Sequence, residues 1–230
     1  MCAALLDPEH FSVSKAATTA KVAERAGVKL VLIGGSTISD QVQLEKITLA
    51  VKRAVTCPVI LFPGNITGVS RHADAIFFSS LLNSTNPYFI IGAQAIGAIQ
   101  VYRSRLEAIP MAYLVFGNSS TTSFVGQVNG LPFSKPKLAI MYALAAGYLG
   151  MRVLYLEAGS GAQEPIPPET IAEVKKFYTG VIVVGGGITT RETAAKAAKA
   201  GAGILVVGNL LQKPDFEYNL KEIVNATLNG

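Results

Sequence analysis

Short runs of β-forming residues recur from one end of the chain to the other, each followed by a stretch of different character. This alternation constrains the fold more than any other feature of the 230 residues. The runs are Cys2–Leu6, Lys29–Ile33, Pro58–Phe62, Ala75–Phe78, Ile109–Phe116, Val153–Leu156, Val181–Gly185 and Gly203–Val207. Most are continuously apolar rather than alternating, as parallel strands covered on both faces should be. Between them lie amphipathic stretches at Ser14–Ala26, Asp40–Val55, Lys137–Leu149, Pro168–Tyr178, Thr190–Ala200 and Asp215–Leu228. Repeated β-then-α units admit an open doubly wound sheet or a closed barrel. The number of runs and the length favour a single (β/α)8 TIM-type barrel, predicted as one catalytic domain over 1–230. Segments rich in Gly, Ser, Asn and Asp follow the strand ends, and a barrel gathers all such ends at one mouth. The third βα unit is irregular, because Ile66–His72 is too short for a full covering helix. A loop or extended segment is expected there. The long loop Gly117–Pro136, rich in Ser, Thr, Gly and Asn, follows strand five and is a candidate lid.

Composition removes several classes of function. Half the residues are hydrophobic and 15% are charged, which describes a buried core rather than a disordered chain. The longest apolar stretch, Leu138–Met151, spans 14 residues and stops at Arg152, whereas a spanning helix needs roughly 18 or more. The N-terminus lacks the basic start and cleavage site of a secretory signal, so a soluble, cytoplasmic protein is expected. Cys2 and Cys57, with only His10 and His72 besides, make no zinc-ligand or redox spacing. The net charge of +5 is scattered, and its densest pairs, Lys52-Arg53 and Lys175-Lys176, sit on predicted helices. A solvated face explains them better than nucleic acid.

The strongest chemical signal is a pair of glycine turns after strands seven and eight: Gly185-Gly186-Gly187 and Gly208-Asn209. Glycine lets backbone N–H groups close on phosphate oxygens, and these turns are where barrels commonly bind phosphate. Thr189 and Glu192 have capping-box spacing, so a helix is expected to begin at Thr189. A dinucleotide fingerprint from Gly185 would need glycine where Thr190 stands, and no G-x-x-x-x-G-K-[ST] occurs. After strand six, Tyr155-Leu156-Glu157-Ala158-Gly159-Ser160-Gly161 places a carboxylate beside glycine-exposed backbone. Glu157 there suits general-base work or binding of substrate hydroxyls, or else is a solvated loop acid. Asp7 ends an apolar run and is either a Mg²⁺ ligand or a turn residue before Pro8. The largely apolar segments Phe77–Asn83 and Asn86–Gly92, around strand four and the loop expected after it, are either core or the wall of a groove for a hydrophobic ligand.

Taken in order, these pieces resemble the geranylgeranylglyceryl phosphate synthase family. The resemblance is carried by Leu6-Asp7-Pro8, Gly34-Gly35-Ser36, Asp74–Phe78, Ser80–Ser84, Asn86–Phe89, Gly92-Ala93-Gln94 and Glu107–Met111. It continues through Tyr155–Gly161, Val184–Ile188 and Val207–Leu211. It implies transfer of a geranylgeranyl group from its diphosphate to the terminal hydroxyl of sn-glycerol 1-phosphate, the first ether bond of archaeal-type membrane lipids. It further implies Mg²⁺ as cofactor, with Asp7 and Ser36 at the metal. Tyr155, Leu156, Glu157, Ala158, Gly159, Ser160 and Gly161, with Gly186, Gly187, Gly208 and Asn209, correspond to the glycerol phosphate site. On this reading Glu157 and Tyr155 are the catalytic pair. A homo-oligomer (dimer or hexamer) and contact with a membrane surface are also implied, with no transmembrane segment and no nucleic acid partner. A heptaprenylglyceryl phosphate synthase-like enzyme and a non-catalytic phosphate- or prenyl-binding barrel are the competing functions. Three departures stand out. His10 replaces a usual lysine, Val115-Phe116-Gly117-Asn118 differs after strand five, and the chain starts six residues before Asp7 without the leading helix common in relatives. Altered closure of the barrel base is expected from the last.

Overall fold

A computed structural model describes residues 1–162 and 164–228. Among them, parallel strands β1 (Cys2–Leu6), β2 (Leu30–Ile33), β3 (Val59–Leu61), β4 (Ala75–Leu81), β5 (Glu107–Val115), β6 (Val153–Glu157), β7 (Val181–Gly185) and β8 (Ile204–Val207) close on one another in sequence order. The barrel shuts where β8 meets β1, with Cys2 opposite Leu205 and Ala4 opposite Val207. Helices α1 (Val13–Arg25), α2 (Gln41–Ala54), α3 (Ala93–Arg103), α4 (Thr121–Val125), α5 (Pro136–Tyr148), α6 (Pro168–Phe177), α7 (Arg191–Lys199) and α8 (Phe216–Leu228) complete the fold.

Strand alternation splits the core in two, because successive side chains point to opposite faces of a strand. Ala3, Leu32, Ile60, Phe77, Met111, Tyr155, Val183 and Val206 fill the barrel. Their neighbours Ala4, Ile33, Leu61, Ile76, Leu114, Leu156, Val184 and Val207 point outward and pack on helix residues such as Ala20, Leu44, Ala143, Ile171 and Ile223. That is why the strands read as unbroken apolar runs. Towards the mouth the interior is capped by aromatic rings. Phe62 stacks on Tyr155 at 5.0 Å and meets Tyr113 edge-on at 5.3 Å, while Tyr113 and Tyr155 are perpendicular at 5.1 Å.

The third βα unit is short, as expected: only a 3₁₀ turn at Ile66–Gly68 follows β3. Three local expectations need correction. The segment after β4 is not a loop but a π-helical turn, Tyr88–Gly92, running directly into α3. Strand β4 continues through Ser79 and Ser80 to Leu81, each paired with β5. Helix α7 is capped by Thr190, not Thr189. Thr190 and Thr193 exchange side chain-to-backbone bonds, and Glu192 pairs outward with Lys196 at 2.7 Å.

Candidate active site

A cleft of about 330 Å³ opens at the mouth and is lined by the ends of the strands and the loops after them. Glu157, the last residue of β6, lies between Val115 of β5 and Gly185 of β7. Its side chain is 7% exposed. The Gly159 amide donates to Oε1 at 2.6 Å, and the Tyr113 hydroxyl donates to Oε2 at 3.4 Å. Burial raises the Glu157 carboxyl above the ordinary glutamate value, and these donors offset part of the rise. A carboxylate so placed is a base of increased strength, held in one orientation. The Tyr155 hydroxyl lies beneath it, against the Cα of Gly185, fully buried and without a hydrogen-bond partner of good geometry.

The glycine turns stand next to this acid. Gly186 has φ +81°, and a Cβ there would lie 2.7 Å from Glu157 Oε1 and from Gly159 N. Only glycine fits both the dihedral and the space. The amides of Gly186, Gly187 and Asn209 meet no backbone acceptor among the described residues, so they remain able to bind an anion. The Ser160 hydroxyl donates to Asn209 Oδ1 at 3.0 Å, tying the loop after β6 to the turn after β8.

Asp7 sits at the end of β1 on the other side of the cleft. Its Oδ1 accepts from the Glu9 amide at 3.0 Å, and burial raises its carboxyl above the ordinary aspartate range. Gly35 packs its Cα on the carboxylate so closely that a Cβ would collide with it. Ser36 lies across the cleft mouth from the lid residue Thr122, with Oγ 2.9 Å from Thr122 Oγ1.

From the mouth the cleft continues down the outside of the barrel. Ile76 and Phe78 project from the outer face of β4, and the short unit after β3 leaves them without a covering helix. Ile66, Val69, Gly97 and Val101 complete an apolar groove there. The candidate lid, the segment after β5, is pinned rather than loose. The Asn83 amide donates to Val115 O at 2.8 Å and Asn129 O at 3.0 Å, and the Ser84 hydroxyl donates to Gly126 O at 2.6 Å.

The cleft therefore gathers Asp7, Ser36, Tyr155, Glu157, Ser160, Gly161, Gly186, Gly187, Gly208 and Asn209. It does not gather all the residues singled out from the sequence. Leu156 is fully buried in the layer between strands and helices, because its neighbours Tyr155 and Glu157 take the inward and mouth-facing positions. Ala158 likewise packs in that outer layer, and Gly159 contributes its amide to Glu157 rather than a surface of the main cleft. Tyr113 and Thr122 were not singled out from the sequence. The inward period-2 pattern Ile109, Met111, Tyr113 marks the first, whereas nothing in the loop composition distinguishes the second.

A family model described as PcrB family matches residues 3–227. The geranylgeranylglyceryl phosphate synthase of Nitrosopumilus maritimus is 48% identical over 222 residues, covering 96% of this chain and 89% of the relative. That of Thermococcus kodakarensis is 51% identical over 209 residues, covering 91% and 83%. Among solved structures, (S)-3-O-geranylgeranylglyceryl phosphate synthase from Thermoplasma acidophilum in complex with its substrate sn-glycerol-1-phosphate superposes with a TM-score of 0.97. It is 37% identical and covers 100% of this chain and 94% of its own. A match so nearly end to end, on a mouth built as described above, means that this chain belongs to the PcrB family, alongside geranylgeranylglyceryl phosphate synthases.

Proposed function

We propose that this chain is a prenyltransferase that joins a geranylgeranyl group to the terminal hydroxyl of sn-glycerol 1-phosphate. The observation that carries the reading is a buried acid, Glu157, set between an anion-ready amide cradle at Gly186-Gly187 and a long apolar groove on the flank of β4. The cradle takes the phosphate and so orients the glycerol, which turns a random encounter into a directed one. Glu157 accepts the proton of the terminal hydroxyl as its oxygen bonds to C1 of the donor. The electron pair of the breaking C1–O bond leaves with diphosphate. The groove receives the prenyl tail.

Among the described residues, the cleft is lined by no lysine or arginine, so its own side chains do little to balance a diphosphate. Asp7 and Ser36 fit Mg²⁺, which commonly takes one or two carboxylates and completes its shell with water and substrate phosphates. The chain offers no fuller cage: no group of three or more His, Cys, Asp or Glu occurs among the described residues. When bound, Mg²⁺ supplies positive charge to a departing diphosphate. Asp7→Ala is expected to lose most diphosphate release and its dependence on added Mg²⁺ while the melting temperature stays within a few degrees. Full turnover by that variant would remove Asp7 from the metal site.

The groove also determines donor length. A Cβ at Gly97 would meet only Ile66 Cγ2, at 3.8 Å, so a larger side chain enters the groove without disturbing α3. Each buried CH₂ contributes about 0.8 kcal/mol, so displacing one five-carbon unit costs on the order of 4 kcal/mol. Gly97→Leu is therefore expected to favour a fifteen-carbon over a twenty-carbon donor by at least about tenfold in kcat/KM. Helix stability should increase, since leucine replaces glycine inside a helix. Competition between the two diphosphates, read by product mass, checks this.

The same reading includes a homo-oligomer, dimer or hexamer, supported by the apolar side chains that α3 and α5 leave exposed, Ile96, Ile99, Tyr102, Met141 and Tyr148 among them. It also includes a cytoplasmic location, suited to the free cysteines Cys2 and Cys57, with the product delivered at a membrane surface. No helix among the described residues is long and apolar enough to cross a membrane. The decisive experiment is diphosphate release from sn-glycerol 1-phosphate with a series of prenyl donors. Release by none of them would end the proposal.

A further inference from the structure

At the mouth the Tyr113 hydroxyl donates to Glu157 Oε2 at 3.4 Å, a contact between residues 44 positions apart in the chain. It joins the inner face of β5 to the end of β6.

We propose that Tyr113 is a positioning residue for Glu157. The inference rests on the reading of Glu157 as proton acceptor. Glu157 is held at two points, by the Gly159 amide on Oε1 and by Tyr113 on Oε2. The first contact comes from its own loop. The second depends on Tyr113, whose ring is fixed by Phe62 and Tyr155. Every element around Glu157 agrees with this assignment. β6 offers Tyr155, β5 offers Tyr113, β7 presents glycine backbone, and the lid brings Ser120 against Gly159. The tyrosines are the titratable groups that act on Glu157 among the described residues.

The test is the titration of Glu157, followed by carboxyl ¹³C NMR on the full chain with labelled glutamate, the Glu157→Gln spectrum identifying its resonance. Tyr113→Phe keeps the ring and removes the hydroxyl. It is expected to raise the proton affinity of Glu157 about tenfold, the size of one pKa step in a charge-assisted bond. In turnover assays Tyr113→Phe should lower kcat most at acid pH, recover as pH rises, and leave the KM for sn-glycerol 1-phosphate within about twofold. An unchanged Glu157 titration in Tyr113→Phe would overturn the proposal. If the wild-type chain releases no diphosphate yet the titration moves as expected, the positioning contact stands and it is the prenyltransferase reading that has failed.

Discussion

Replacing Glu157 with glutamine is expected to reduce turnover by about 10²–10⁴-fold, the range lost when a positioned general base is removed. The amide keeps the shape of the acid and can still accept from Gly159, so sn-glycerol 1-phosphate should bind with affinity changed by less than about tenfold. Single-turnover kinetics with calorimetry separate the two effects; a retained rate would remove Glu157 from proton transfer. The same variant should also be more stable than the native chain at neutral pH. Burial lifts the Glu157 carboxyl above the ordinary value, so folding favours the neutral acid. That preference contributes fully below the unfolded-state value of about 4.3 and disappears as pH rises through the higher folded value. Above that window the native chain carries a buried anion that glutamine lacks. Melting temperatures of the two proteins should therefore separate at pH 7 and converge at low pH. In turnover the native enzyme should show an acid limb lying above the usual carboxylate range, since the base must be ionised to act.

Gly186→Ala should be the most damaging single-atom addition to the site. The left-handed dihedral of +81° strains any residue with a Cβ, and that Cβ would lie 2.7 Å from Glu157 Oε1, Gly159 N and Gly159 O. None of these can yield cheaply, because two are backbone atoms and the third is held by the Gly159 amide. Strain of this kind costs about 1–3 kcal/mol, and a shift near 1 Å in a positioning group can cost about 10²-fold in rate. Binding of sn-glycerol 1-phosphate should weaken by about that factor, together with turnover. Gly147→Ala provides the control, since its Cβ would meet only Tyr178 at 4.0 Å and alanine favours the helix. Equal binding by the two variants would show that the phosphate sits elsewhere.

Much of this architecture was legible in the residues, for a definite reason. Parallel strands buried on both faces cannot alternate polar and apolar residues, so β1, β2, β6 and β7 announce themselves. The boundaries that went astray lie where pairing outlasts hydrophobicity. Ser79 and Ser80 end the apolar run, yet they stay in the ladder opposite Met111 and Ala112. Helix α3 was missed because Ala93–Arg103 carries apolar residues on its outer face, Ile96 and Ile99 included, and a helix greasy all round has no period to read. The residues that line the cleft were legible wherever chemistry and chain order coincide, as at Glu157, Gly186 and Asp7. The Leu156 side chain lies away from the cleft because alternate residues at a strand end face opposite ways. Tyr113 was marked only by its inward position on β5, and Thr122 escaped notice because its contact with Ser36 joins segments 86 positions apart.

The closed order of the strands has a wider implication. In the proposed function the groove for the tail lies on the arc of β3 and β4, and the cradle for the headgroup lies on the arc of β7 and β8, four strands away around the circle. Changes that lengthen or shorten one pocket leave the other's backbone alone. On that function, a lineage built on this scaffold can alter the length of tail it accepts without relearning how to hold a polar head, and selection on the two traits can proceed separately.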